Sequence, residues 1–114
     1  MADLATADLT GADLSSADLG GADLNRAILR DVGLAHANLG QVELKRPDGT
    51  PDGRLWSANL EGADMRRADL TGVNLRGARL AGANFEAALL VGADLTGADT
   101  AAALNLTRRS PGSA

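Results

Sequence analysis

The chain has 114 residues, a formal net charge of −4 and 45% hydrophobic residues, yet only 2% of its residues are aromatic. A conventional globular core normally contains more large rings, so the apolar residues are expected to fill a narrower interior. The sequence contains no cysteine, which excludes disulfides, thiolate chemistry and cysteine-based metal sites.

A unit of five residues repeats from Ala2 onward and is clearest in residues 2–26, which run ADLAT ADLTG ADLSS ADLGG ADLNR. Leucine recurs at the third position of each unit as far as Leu44. On an α-helix a step of five turns the side chain by about 140°, and in a strand it alternates faces, so neither element collects these leucines on one side. A chain that bends at every unit does collect them, which predicts a solenoid.

The unit resembles the A(D/N)LXX pattern of the pentapeptide-repeat family, and the resemblance covers residues 2–44 and 55–99. It implies an all-β fold, a right-handed quadrilateral β-helix with one unit per side and four per coil, and thus about five coils. It also implies that the central Leu or Phe and the Ala two residues earlier point inward. We therefore predict one solenoid domain over residues 1–106, with repeats at 2–45 and 55–99.

The residue before the central leucine is aspartate in the first five units, at Asp3, Asp8, Asp13, Asp18 and Asp23. Short polar side chains at turns bond nearby backbone groups, which favours a structural role over an acidic binding surface. Four sides per coil would place only the first and last of these carboxylates on one face, which disfavours a catalytic pair. Residues 1–45 have a net charge of −4, and this argues against nucleic-acid binding by the first array.

Residues 46–54, RPDGTPDGR, interrupt the repeat with two Pro-Asp-Gly triplets that each suit a tight turn. The segment either replaces one side of a coil with a one-residue bulge or projects as a loop. It is either a tolerated insertion or a recognition element, because loops provide specificity on regular scaffolds. In the topoisomerase-protecting members of the family that the chain resembles, protruding loops matter for activity, which supports recognition.

Trp56 follows this segment at an outward position. An exposed tryptophan is typical of interface anchors, although the ring can equally cover the base of the loop. The single histidine, His36, is expected to be solvated. The candidate interaction residues are the charged residues of the interruption and this ring, namely Arg46, Asp48, Asp52, Arg54 and Trp56.

In the second array, Met65 and Phe85 replace leucine one coil apart and are predicted to stack on the same side. After Asp99 the five-residue frame fails, and residues 100–106 are predicted to form a short helix or turn that caps the last coil. A dimer contact through leucines of this segment is the alternative. Residues 107–114 are predicted to be a disordered tail.

The sequence has no nucleophile elbow, phosphate loop or histidine-rich metal motif, so we expect no enzyme activity, catalytic residue, cofactor or metal. A soluble, cytoplasmic protein without signal peptide or membrane span is expected. The favoured function is a protein-interaction module, monomeric or dimeric through one end of the solenoid, whose partner is another protein and neither nucleic acid nor membrane. The alternative is a DNA-mimicking modulator of DNA gyrase or another topoisomerase, as in a branch of the family that the chain resembles. A purely structural or designed solenoid is the third possibility.

Overall fold

The structure, a computed structural model, describes residues 3–106. The chain turns a corner at each unit, where the carbonyl of the central residue accepts the N–H three residues later, as in Ala7 N to Leu4 O at 3.0 Å. The third residue of these turns has a positive φ, 61° at Thr6 and 72° at Gly11, as in type II turns. Each pentapeptide therefore forms one straight side followed by one corner.

Successive coils are joined by short parallel backbone bridges through the residue before each central position. Leu4 N, for example, donates to Asp23 O of the next coil at 2.7 Å. The bridges define four columns, which we call sides 1 to 4. Side 1 comprises Asp3, Asp23, Asn59, Arg79 and Asp99; side 2 comprises Asp8, Ile28, Asp64, Asn84 and Leu104; side 3 comprises Asp13, Gly33, Asp69 and Leu89; and side 4 comprises Asp18, Asn38, Asn74 and Asp94. The rod is the predicted right-handed quadrilateral β-helix.

The interior is filled by two residues of each unit, the central residue and the small residue two positions earlier. In the coils from Ala22 to Phe85 all of these side chains are at most 1% exposed, and each buried leucine stabilises the fold by roughly 1.5–3 kcal/mol. The leucines of the first coil are only partly buried, because this coil is the outermost one that the structure describes at this end. Met65 and Phe85 are both buried on side 2 of adjacent coils, which confirms that they stack.

The interruption is longer than the sequence predicted. Side 1 continues from Asp23 directly to Asn59, so the residues that leave the rod are 42–57 and not only 46–54. Of the two predicted arrangements, the structure has the projecting one, and no side of a coil is replaced. Bridge residues are five positions apart up to Asn38, before the insertion, and again from Asn59 onward, after it.

The projecting residues form an antiparallel hairpin of β1 (Val42–Lys45) and β2 (Pro51–Trp56), in which Glu43 pairs with Leu55. The prediction that Leu44 and Leu55 fill the interior is therefore wrong. Leu44 is only partly buried within β1, and Leu55 is 60% exposed. Leu44 lies five residues after Leu39 of the rod, and Leu55 lies five before Leu60. Leu44 nevertheless follows the point where the chain leaves the rod, and Leu55 precedes the point where it returns.

The segment 100–106 also differs from its prediction, since the described part of the chain contains no helix. Asp99 and Leu104 bridge to the coil beneath them, so the chain begins a further coil instead of folding across the last one. Thr100 occupies an interior position, and its carbonyl still closes the corner at 3.1 Å. Residues 107–114, and with them the predicted tail, lie outside the described residues.

Candidate functional site

The Asp and Asn side chains of the four sides accept hydrogen bonds from backbone N–H groups of the corners that follow them. Asp13 Oδ1 accepts the Ser15 N–H at 3.0 Å, and Asn38 Oδ1 accepts the Gly40 N–H at 2.9 Å. The same bond, to the N–H two residues later, recurs at every Asp or Asn of the four columns. Hydrogen bonds from the backbone and side chain of Ser15 lower the pKa of Asp13. The predicted structural role of these residues is confirmed.

The net charge is concentrated at one end of the rod. In the later coils, arginines pair with part of the carboxylates; Arg66 Nε and Arg30 Nε, for example, lie 2.9 and 2.5 Å from the oxygens of Asp64. Hydrogen bonds from these guanidinium groups hold the pKa of Asp64 well below its usual range. The first coil, residues 3–21, has four aspartates and no basic residue, and none of its carboxylates forms an ion pair within the described chain. The rod is thus acidic at its first coil and nearly neutral beyond it.

The tip of the hairpin is a tight turn built on the first Pro-Asp-Gly triplet, as predicted. Arg46 N donates to Thr50 O at 2.8 Å, and Arg46 Nη1 donates to Pro51 O at 2.7 Å. Asp48 Oδ1 accepts Thr50 Oγ1 at 2.6 Å and Thr50 N at 2.9 Å. The bonds from Thr50 lower the pKa of Asp48. Arg46 and Asp48, the two candidate charged residues of the tip, are therefore both hydrogen-bonded within the turn.

The second triplet forms a bulge within β2 and not the separate tight turn that was predicted. The pairing register shifts opposite Glu43–Lys45, and Gly53 has a φ of 86°. Arg54 Nη2 donates to Asp52 Oδ2 at 2.7 Å, and Arg54 N donates to Asp52 Oδ1 at 2.9 Å. The Arg54 side chain lowers the pKa of Asp52. This pair is likewise satisfied within the hairpin.

Trp56, the last residue of β2, lies at the base of the hairpin and is 50% exposed. With Leu55 and Ser57 it forms one wall of a groove of about 300 Å³ between β2 and the rod. The rod contributes the other wall, which consists of Gly21, Ala22, Asp23, Asn59 and Arg79. The structure therefore separates the five predicted residues: the four charged ones are hydrogen-bonded within the hairpin, and the ring lines the groove.

The sequence analysis did not predict the residues that the rod contributes to this groove. Asp23, Asn59 and Arg79 are successive members of side 1, but they align only when residues 42–57 are removed from the repeat count. The available signal was the Gly53-Arg54-Leu55 triplet, which has glycine in place of the inward Ala or Val and arginine in place of the Asp or Asn of a repeat unit.

The charges in the groove are unequal. Asp23 Oδ1 accepts the Asn25 N–H at 3.0 Å, and no basic side chain of the described chain pairs with this carboxylate. Arg79 Nη2 donates to Glu61 Oε1 at 3.0 Å, which neutralises the one guanidinium in the lining. The groove thus combines an unpaired carboxylate with an indole ring and an apolar side chain.

The opposite end of the rod has an apolar surface of its own, a depression of about 400 Å³ beside the exposed Leu89 and Val91. His36 is exposed, as predicted. Over residues 3–106, no three His, Cys, Asp or Glu side chains are grouped so that they could hold a metal ion. In the same part of the chain, no helix has the length and apolar character needed to cross a membrane.

The family model for pentapeptide repeats matches residues 2–46, 54–86 and 78–99, in eight copies. The chain belongs to the pentapeptide-repeat family. This pentapeptide-repeat chain is 40% identical, with a TM-score of 0.71, to HetL, a member involved in the regulation of heterocyst differentiation in the cyanobacterium Nostoc sp. strain PCC 7120. The similarity covers 85% of this chain and 38% of HetL.

Two further family structures are similar. Rfr23 of the cyanobacterium Cyanothece 51142 is 32% identical over 85% of this chain and 55% of its own, with a TM-score of 0.69. A pentapeptide-repeat protein of the Arabidopsis thaliana thylakoid lumen is 28% identical over 94% of this chain and 66% of its own, with a TM-score of 0.63. The chain therefore spans about two fifths to two thirds of the length of these structures. None of the curated proteins matches it significantly in sequence.

Proposed function

We propose that the chain is a protein-interaction module in which the rod is the scaffold and the hairpin, residues 42–57, is the recognition element for another protein. The observation that supports this most directly is the continuity of the rod. Side 1 passes from Asp23 to Asn59 across the insertion with the same bridge as elsewhere. The hairpin is thus unnecessary for the fold, yet it presents Leu55 and Trp56 to solvent.

The outer surface of the rod offers little recognition chemistry of its own. Its short polar side chains bond to the corners, and its arginines in the later coils pair largely with neighbouring carboxylates. Large aromatic side chains dominate the binding energy of many interfaces, and the only tryptophan of the chain lies on the hairpin. The hairpin is therefore the best-supported contact surface.

The base of the hairpin is held against the rod, which favours binding because less flexibility is lost on association. A Cβ atom added at Gly20 would lie only 2.8 Å from Val42 Cγ1, so the start of β1 packs closely on the rod. At the other end of the insertion, Gln41 Nε2 donates to the Oγ of Ser57, the residue after β2, at 3.4 Å. Both ends of the insertion are thus anchored.

DNA mimicry directed at gyrase is the second candidate, and the charge distribution argues against it. About four and a half coils at about 4.8 Å each give a rod of about 22 Å, and duplex DNA of that length has about 13 phosphates. The rod instead concentrates four unpaired carboxylates in one coil and pairs half of the others with arginine. A supercoiling assay in which purified protein alters gyrase activity would reverse this ranking.

The proposal keeps a cytoplasmic location and a monomer or end-to-end homodimer as further expectations. It is tested with a variant that lacks residues 42–57 and joins Gln41 to Ala58. This junction restores the five-residue spacing between Leu39 and Leu60, so the variant should fold as an uninterrupted rod with an unchanged β-type circular dichroism signal.

The measurement is quantitative affinity capture from lysate of the source organism, with wild type, the hairpin deletion and Trp56→Ala as baits. Val91→Ala is the matched control, because Val91 is also about half exposed, at the other end of the rod. We expect a partner that wild type and Val91→Ala capture and that the other two baits lose. If all four baits capture the same proteins, the hairpin is not the recognition element.

A further inference from the structure

The groove between β2 and side 1 combines chemistry that no other part of the described surface has, namely an indole ring, an apolar side chain and a carboxylate without a counter-ion. We propose that this groove binds an arginine side chain from an extended segment of the partner protein. The inference rests on the proposed function, since it names the chemical class that the base of the hairpin recognises.

The hairpin wall suits the flat, weakly hydrated part of an arginine. Trp56 is half exposed at the groove, and the face of an indole ring attracts a cation, guanidinium above all, because of its negative electrostatic potential. Leu55, beside it, offers apolar surface for the aliphatic stem of the same side chain. A neutral apolar side chain would also contact these two residues, so the hairpin wall alone does not select a charge.

The rod wall selects a positive charge. The Asp23 carboxylate uses Oδ1 for the corner and has remaining acceptor capacity toward a donor in the groove. An apolar occupant would desolvate this carboxylate without compensation, whereas a guanidinium group would form charge-assisted hydrogen bonds with it. The guanidinium of Arg79 does not oppose this, because Glu61 already neutralises it.

The surroundings reinforce the same preference. The residue before Asp23 on side 1 is Asp3, which belongs to the acidic first coil and forms no ion pair within residues 3–106. The field of this coil raises the local concentration of cations and repels acidic segments. A basic segment that runs along side 1 toward the first coil therefore fits better than a neutral or acidic one.

The binding can be followed directly, because Trp56 is the only tryptophan and the chain has no tyrosine. The probe is the peptide acetyl-Gly-Ser-Arg-Ser-Gly-amide, and its control contains citrulline, which keeps the shape of arginine without its charge. We expect a saturable change in tryptophan emission with the arginine peptide. The citrulline peptide should bind about tenfold more weakly, since it lacks the charged hydrogen bonds.

The variant Asp23→Asn isolates the carboxylate without disturbing the corner, because asparagine makes the same bond at Asn59, whose Oδ1 accepts the Glu61 N–H at 3.0 Å. It should weaken binding of the arginine peptide about tenfold. The matched control is Asp13→Asn, which removes an equally unpaired carboxylate on side 3 and should leave the affinity within about twofold. Trp56→Leu, followed by the anisotropy of a labelled peptide, should also weaken binding.

Two results would overturn the inference: no saturable signal with the arginine peptide up to about 10 mM, or equal weakening by the two aspartate substitutions. The fate of the proposed function is read separately from the capture experiment. If the hairpin deletion loses the partner while the arginine peptide fails to bind, the hairpin remains the recognition element and only the arginine assignment fails. If the peptide binds but the deletion still captures every partner, the groove is not the partner's site.

Discussion

Leu60 and Leu55 stand five residues apart and look equivalent in sequence, but the structure places one inside the rod and the other on the hairpin. Leu60 is fully buried on side 1 between Leu24 and Leu80 of the adjacent coils. The ladder on all four sides prevents the tube from collapsing around a smaller residue, so Leu60→Ala should cost about 3 kcal/mol. Leu55→Ala removes a mostly exposed side chain and should cost less than about 0.5 kcal/mol.

The comparison is made by urea unfolding, followed by the β-type circular dichroism signal. A domain of this size has a stability of about 5–15 kcal/mol, so a loss of about 3 kcal/mol is readily measured. With an m-value of about 2 kcal/mol/M, Leu60→Ala should lower the midpoint by about 1.5 M, while Leu55→Ala should leave it nearly unchanged. If both substitutions lower the midpoint equally, Leu55 is an interior residue and residues 42–57 do not form the insertion.

Three further predictions concern the corners and their charges. Asp69→Ala loses the bond to Thr71 N at 3.1 Å and should cost about 1 kcal/mol in thermal melts, whereas Asp69→Asn should retain most of the stability; equal losses would show that the bond is unimportant. Gly92→Ala forces an L residue into a φ of 76° and should cost about 1 kcal/mol, although no atom lies closer than 3.7 Å to the added carbon; an unchanged melting temperature would contradict this. Hydrogen bonds from Thr96 and Arg76 lower the pKa of Asp94 to about 2. Because a lowered pKa stabilises the folded state above the unfolded value of 3.8 and this stabilisation is lost as pH falls toward the folded value, urea midpoints should be level from pH 7 to 5 and fall below pH 4. A midpoint that stays constant down to pH 2 would contradict this.

Most of the rod was predictable because its signal is repeated along the chain. The five-residue spacing determines the solenoid, and the alternative of a helix or flat strand fails on the direction of the leucines alone. Pairs one coil apart follow from the same spacing, which is why the stacking of Met65 and Phe85 was predicted correctly. The role of the Asp and Asn side chains followed from their known tendency to bond the backbone at turns.

The limits of the insertion were not predictable from spacing alone. Leu44 stands five residues after Leu39, and Leu55 stands five before Leu60, so both extend the repeat in the sequence. In the structure they belong to β1 and β2 of a hairpin that projects from the rod, so their five-residue spacing to the rod leucines does not make them interior residues. Thr100 suggested the opposite error, an early end of the repeat, but the corner is formed by backbone groups and is kept at this polar residue.

The groove could not be predicted from the sequence for a related reason. Its two walls are distant in the chain, and the columns that bring them together depend on the length of the insertion. Trp56 was a candidate interaction residue because of its type and its outward position beside the interruption, but its neighbours Asp23 and Asn59 were not candidates. A different insertion length would place other residues opposite the ring, so the site depends on the register of the coils more than on any local motif.

The hairpin also has a consequence for the order of folding. Neighbouring units are joined across 20 residues within the first two coils, as Asn38 is to Asp18, but across 36 residues where the hairpin intervenes, as Asn74 is to Asn38. Closing the longer loop costs about 0.5 kcal/mol more in chain entropy. In a solenoid that grows coil by coil from a nucleus, this junction is the step at which propagation slows. Although the folded rod is continuous, we expect the coils before residue 42 and the coils after residue 57 to fold as two blocks, which then join at the hairpin.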